Sequence, residues 1–353
     1  MYFFFEVLVM NFKIFTKAAE KPIVSAVIGG ESIAPFMSEL IEFAEMEAVT
    51  GDIIKEYVFT KLADDKNVLS TLLGKNAPIG ESLKAAAMED LEKIFAATQS
   101  FGHFDYTPSA KSTRYSDEYT LSVTEMVGAK SADELYALLS NHYRTLGTGL
   151  LSRHIAFLCS KTDIIGIENP DSTNFDSLVG LEHIKKVLTD NAELFLSGKK
   201  ANNVLLFGDR GTGKSSCVKA LLNKYHADGL RVIELPKNCI GRIPELYMEL
   251  ASRPQKFILY LDDLSFEKHE PEYRTLKVSM EGQLGSIPQN VLIFATSNRR
   301  HLIKENWKDR EGGDVHAGDN MQEMLSLSER FGISLVFAAP NQKEYLEIVA
   351  KLL

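Results

Sequence analysis

The stretch Gly208-Asp209-Arg210-Gly211-Thr212-Gly213-Lys214-Ser215, directly behind the apolar run VLLF at 204–207, decides how this chain folds. It has the spacing GxxxxGK[ST], in which glycines let successive backbone N–H groups curl around phosphate oxygens. In such a loop Lys214 reaches the β and γ oxygens of a bound phosphate chain, and Ser215 offers its hydroxyl to Mg2+. The following KSSCVKALLNKYH, from Lys214 through Ser216 and onward, reads as a helix whose positive dipole end faces the same anion. The alternative is an ordinary glycine-rich turn. The strand-like run before the loop and the helical pattern after it favour a phosphate-binding loop at 208–216.

Around this loop, short apolar runs alternate with amphipathic segments. Strands are expected at 203–207, 231–235, 257–261, 291–296 and 333–337. That alternation predicts an α/β fold of three layers, α/β/α, with a five-stranded parallel sheet between helices. Ligands of such sheets gather at the carboxyl ends of the strands, so the residues just past each run are candidates for chemistry.

Past the third run stand Asp262 and Asp263, in FILYLDD. A carboxylate there can hold Mg2+ through its water shell, and an adjacent acid can orient or deprotonate an attacking water. Asp262 is assigned to the metal with Ser215, Asp263 to the water, and Glu267 stands in reserve as base. The alternative for the two aspartates is capping of a following turn or helix. Past the fourth run comes Thr296-Ser297-Asn298, whose amide can hold a terminal phosphate or the water without adding charge, or can simply close a turn. Before the last run, SERFG carries Arg330. A neighbouring subunit in a ring can deliver such an arginine to a transferring phosphoryl group; the alternative is a surface ion pair with Glu329 or another acid.

The first part of the chain is read differently. Helical periodicity covers PFMSELIEFAEMEAVTGDIIKEYV from Pro35, SLKAAAMEDLEKIFAA from Ser82 and ADELYALLSNHYRTLGTGLLSRHIAFL from Ala132. Residues 1–160 are therefore expected to be mainly helical, and 161–174, rich in turn-formers, to be a linker. His142 and His154 lack metal-ligand spacing and read as surface or packed histidines. The opening MYFFFEVLVMNF is interrupted by Glu6, has no basic flank and is too short to span a bilayer, so no membrane partner is expected.

A net charge of −9 argues against binding nucleic acid by overall basicity. Arg299, Arg300, Lys304, Lys308 and Arg310, with His301 and Trp307 among them, form a local basic cluster that reads as a solvated or subunit-facing surface, with nucleic-acid contact as its alternative. Cys159, Cys217 and Cys239 form no CxxC or Cys/His cluster, which points to a reducing, cytoplasmic compartment.

With these residues in place, the segment 175–340 resembles the AAA+ ATPases. FDSLVGLE at 175–182 is similar to their adenine-side box, the 208–215 loop to Walker A, FILYLDD to Walker B, TSN to the first sensor and SERFG to the arginine-finger box. More narrowly, LLFGDRGTGKSS, RPQKFILYLDDLSFE, ATSNRRHLI and LSLSERFGI resemble the uncharacterised AAA+ family known as domain of unknown function 815, and this likeness extends into the helical N-terminal region. The resemblance implies ATP and Mg2+ as ligands, Val179 and Gly180 beside the adenine, hydrolysis between subunits of a homo-oligomeric ring, and an unnamed macromolecular client to be remodelled or loaded. Its alternatives are a nucleotide-dependent switch or scaffold with little turnover, and a nucleic-acid helper of the helicase-loader kind. Two departures stand out. Asp263 replaces the usual glutamate and is one methylene shorter. PNQKEYLEIVAKLL, with Asn341 as cap and Glu344 in capping-box spacing, is similar to the first helix of a lid that 341–353 cuts short.

Overall fold

The computed structural model describes residues 12–109, 115–266, 270–281, 287–298, 327–342, 346 and 349–350. The chain forms two compact units, Met1–His154 with Ser252–Pro254, and Ile155–Ala251 with Gln255–Leu353. Among the described residues no helix is long and apolar enough to cross a membrane. The opening residues 1–11, Glu267, the basic cluster 299–310 and Glu344 lie outside the described residues.

The first unit is mainly helical, as its periodicity predicts, with a core that includes Leu62, Leu91, Ile94 and Tyr143. Polar residues start its helices. Asn67 forms a capping box with Ser70, and the side chains of Ser116 and Ser131 accept from Tyr119 and Glu134 N–H. The segment expected as one helix from Pro35 is two, Met37–Glu47 and Ile53–Ala63. Ala48 and Gly51 turn left-handed between them, and Asp52 restarts the helix by accepting from Ile54 and Lys55 N–H. Gly51–Asp52 is also a short strand, β1, antiparallel to β2 at Asp105–Tyr106. His142 is wholly buried beside Ser122 Oγ, 3.0 Å from its Nδ1, and burial pushes its pKa down to about 4. It is a neutral packing residue.

The boundary between helical and α/β parts differs from the expected one. The helix Ala132–Thr145 stops before Gly147 and Gly149, both at positive φ. After a short turn of helix at Leu150–Arg153, the chain enters β3, Ala156–Cys159, and then β4, Ile164–Gly166. The supposed linker thus contains a strand of the main sheet. Ser160 and Asp163 close the β3–β4 hairpin, Ser160 N–H donating to the Asp163 carbonyl at 2.8 Å. Strands of three and four residues are too short for alternation to show against a turn-rich background.

The remaining strands are β5 (Val204–Gly208), β6 (Leu230–Glu234), β7 (Lys256–Leu261), β8 (Val291–Ser297) and β9 (Ile333–Phe337). Each matches an expected strand to within a residue or two at either end. Among the described residues the sheet has seven strands rather than five, in the order β4-β3-β6-β7-β8-β5-β9, parallel throughout except for β4. β8 is buried along its whole length and β7 at every residue but Lys256, because both sheet faces are covered. On one face Leu206, Ile258 and Phe294 pack with residues of the helices Glu182–Leu196 and Lys214–Tyr225. Leu205, Leu259 and Ile293 alternate to the opposite face and are buried as well.

The topology positions the site. β5 lies between β8 and β9 although the chain runs from β5 out to β6, so the strand order reverses at β5. The registers Phe207↔Ser297 and Leu261↔Ala295 bring the residues after β5, β7 and β8 together at the carboxyl end of the sheet.

Candidate nucleotide-binding site

β5 ends at Gly208, where only glycine fits. Its φ is 136°, and an added Cβ would sit 1.9 Å from the Phe337 carbonyl oxygen. The loop then turns through Gly211 and Gly213, at φ 74° and 92°, and enters the helix Lys214–Tyr225 with no side-chain cap. Uncapped first-turn N–H groups behind a left-handed glycine are the local requirement for an anion cradle. Leu178 and Leu181 reach over Gly213, within van der Waals distance of where a Cβ would stand.

Arg210 to Ser216 line a cavity of about 530 Å3 together with Ser177, Leu178, Val179, Leu181, Asp262, Asp263, Thr296 and Asn298. That volume is within the range of sites for small ligands. Of the expected loop residues, Gly208 and Asp209 do not line it. Asp209 turns away, its Oδ2 accepting from Ala339 N–H at 2.9 Å. Val179 lines the wall while Gly180, at φ 79°, serves its turn.

Lys214 is not a solvent-facing residue. It is 7% exposed, and its Nζ donates to the carbonyls of Gly208 at 2.9 Å and Asp209 at 2.5 Å. Burial lowers its pKa, against the attraction of Asp209, Asp263 and Asp262. A phosphate entering the loop would replace two neutral acceptors with charged ones.

Asp262 gathers the other half of the site. Its Oδ1 accepts from Ser215 Oγ at 2.8 Å, Tyr260 OH at 2.5 Å and Thr296 Oγ1 at 2.5 Å. Burial would raise its pKa, yet the hydrogen bonds from Thr296, Tyr260 and Ser215 outweigh burial and hold the carboxyl below its usual value. Asp262 is therefore an ionised acceptor joined to the phosphate-loop helix. Asp263 follows with φ 48°, a conformation that aspartate tolerates better than most residues. Its N–H donates to Thr296 Oγ1 at 2.8 Å, and its Oδ1 accepts from Asn298 Nδ2 at 2.5 Å.

The hydroxyl of Ser215 and the carboxylate of Asp262 are hard oxygen donors that fit Mg2+ shared with phosphate oxygens and water. Among the described residues no group of three or more His, Cys, Asp and Glu could form an all-protein cage. The loop N–H groups and Lys214 fit phosphates, and Leu178, Val179 and Leu181 give an apolar surface for a base. Arg330 is not brought to this cavity. It is 46% exposed in its side chain and pairs with Glu281 at 2.7 Å, the surface ion pair that was its alternative, with a different acid from Glu329.

Tyr260 and Thr296 went unassigned in the sequence. The signal for Tyr260 was its spacing: two residues before Asp262 on a strand, it shares a side with that carboxylate. Tyr260→Phe is expected to keep the fold, since the ring is core, while raising the Mg2+ concentration needed for half-saturation of ATP binding roughly tenfold. A Mg2+ titration at fixed ATP measures this; an unchanged midpoint would leave the phenol without influence on Asp262.

The family described as "Protein of unknown function (DUF815)" matches residues 152–353. Among curated proteins, AAA-ATPase At2g18193 of Arabidopsis thaliana is 28% identical over 164 residues, covering 39% of this chain and 32% of that protein. The proteasome-activating nucleotidase of Methanocella arvoryzae is 29% identical over 168 residues, 40% of each chain. The chain thus spans well under half the length of these relatives. Among solved structures, the Thermotoga maritima RuvB Holliday junction branch migration motor is similar at 19% identity and TM-score 0.34, covering 51% of this chain and 52% of that one. The Aeropyrum pernix Orc1 protein in complex with DNA is similar at 18% identity and TM-score 0.35, covering 50% and 49%.

Proposed function

The chain belongs to the family described as protein of unknown function (DUF815), with an AAA+ P-loop domain, and we propose that it binds Mg-ATP in the cavity beyond β5 and hydrolyses it. The observation that carries this proposal is the shared carboxylate. Asp262, at the end of β7, accepts the Ser215 hydroxyl from the phosphate-loop helix, so the elements that would hold metal and phosphate already meet.

In this proposal the N–H groups of 210–216 hold the phosphates and Lys214 gives up the loop carbonyls for β and γ oxygens. Ser215 and Asp262 would hold Mg2+, which would supply positive charge to the bound phosphates. Asp263 accepts a proton from the attacking water, with Glu267 as the other candidate, and Asn298 orients the terminal phosphate or that water. Arg330 acts on a neighbouring subunit's nucleotide, and the ring so formed remodels or loads a macromolecular client in the cytoplasm.

Asp263→Asn tests the chemistry. The amide keeps the shape and cannot take the proton, so ATP binding is expected to persist while phosphate release falls by about 10²-fold or more. If that variant turns over normally and Glu267→Gln does not, Glu267 is the base.

A second reading, a nucleotide-dependent switch with little turnover, is favoured by one contact. Asn298 holds Asp263 at 2.5 Å, engaging the carboxylate that should meet the water. Steady phosphate release above that of a Lys214→Ala control separates the two. A nucleic-acid role rests on the 299–310 cluster alone, and salt-sensitive stimulation by DNA would support it.

A further inference from the structure

The segment 171–177, expected as linker and domain start, is tied to the far side of the phosphate-loop helix. Lys219 and Asn223 stand one turn apart on that helix, on one side of it. Lys219 Nζ donates to Asp171 Oδ2 at 2.7 Å. Asn223 Nδ2 donates to two backbone carbonyls, those of Asp171 at 2.8 Å and Thr173 at 2.6 Å. Asp171 turns its other oxygen back on the chain, accepting from Thr173 N–H at 2.8 Å and Oγ1 at 2.5 Å.

What this clamp holds is one wall of the cavity. Immediately after Thr173, Asn174 Oδ1 accepts from Asp176 and Ser177 N–H at 3.1 and 3.2 Å and starts the short 3-10 helix Phe175–Ser177. Ser177, Leu178 and Val179 then line the cavity. Phosphates would occupy the loop, and the apolar surface left for the base and ribose is Leu178, Val179 and Leu181. The helix that begins at Lys214 therefore carries the phosphate cradle at its first turn and, further along, fastens the segment that leads into this wall.

Resting on the nucleotide-site proposal above, we infer that Lys219 and Asn223 are positioning residues. They keep the wall for the nucleoside in register with the phosphate loop, so that affinity for the nucleoside depends on contacts outside the cavity. Neither residue lines the cavity, and neither would touch the ligand.

The clamp makes a prediction that general damage to the helix does not. In the full chain, Lys219→Met/Asn223→Ala, which removes all three hydrogen bonds of the clamp, is expected to weaken Mg-ATP binding about tenfold. Binding of Mg-tripolyphosphate, which has phosphates and no nucleoside, should change less than twofold, and Lys219→Arg should bind ATP as the parent does. Titration calorimetry with both ligands reads this. Equal weakening of ATP and tripolyphosphate would overturn the inference, because the loop itself would have been damaged. Unchanged ATP affinity would also overturn it, since apolar packing of Leu178 and Leu181 would then hold the wall unaided. If the double variant does not fold, Asn223→Ala alone carries the same comparison. A parent chain that binds neither ligand would instead refute the nucleotide site and leave the clamp a structural contact.

Discussion

Lys214→Ala loses affinity for Mg-ATP by about a hundredfold or more, as removal of charge-assisted hydrogen bonds to phosphate requires. The geometry also sets a smaller effect on stability. Nζ now donates to the Gly208 and Asp209 carbonyls in a pocket where the residue is 7% exposed, so truncation leaves two acceptors short of a donor. Loop carbonyls near a cavity can be rewetted, and the cost to folding should be about 1 kcal/mol. A titration of ATP against the folded variant, with its thermal transition recorded beside the parent's, separates the two effects. An affinity equal to the parent's would mean that phosphate is bound elsewhere or not at all.

Arg330→Ala is expected to bind ATP normally as a monomer and to lose turnover by about 10³-fold if the arginine acts as strongly as in GTPases. In the isolated chain Arg330 pairs with Glu281, both side chains part-exposed at 46% and 33%. Such a pair contributes little, about 0–1 kcal/mol, so leaving Glu281 for a neighbour's phosphate costs little. The sharper consequence is in mixtures. Arg330→Ala combined with Lys214→Ala should recover part of the activity that each lacks alone, because a mixed interface can join an intact loop to an intact arginine. Phosphate release measured against mixing ratio shows it. Full activity of Arg330→Ala, with parental turnover per subunit independent of concentration down to a demonstrated monomer, would return Arg330 to its role as a surface partner of Glu281.

The parts of this structure that local sequence pattern controls were legible before it. The 204–208 strand, the glycine loop and the helix at Lys214 follow from backbone requirements that few residues satisfy, and the apolar runs of β7 and β8 are long enough to declare a buried strand. What escaped depended on tertiary partners. β3 and β4 are strands because β6 is there to pair with β3, and AFLC attached to a helical pattern gives no hint of it. The break after Glu47 was readable in principle from Gly51 and Asp52, but the apolar periodicity on both sides overrode it. Within the site, Asp262 was placed by its strand and loop context, whereas its three hydroxyl donors come from three separate elements. Asp209 fits the loop pattern yet turns to Ala339, a contact made only once β9 lies beside β5.

The most direct test is a calorimetric titration of the parent chain with ATP in the presence of Mg2+, repeated with excess tripolyphosphate. One saturable site per chain is expected, with its heat abolished by the competitor, because both ligands need the N–H groups of 210–216 and Lys214. No saturable binding, or binding that tripolyphosphate leaves untouched, would contradict a nucleotide site at the end of β5.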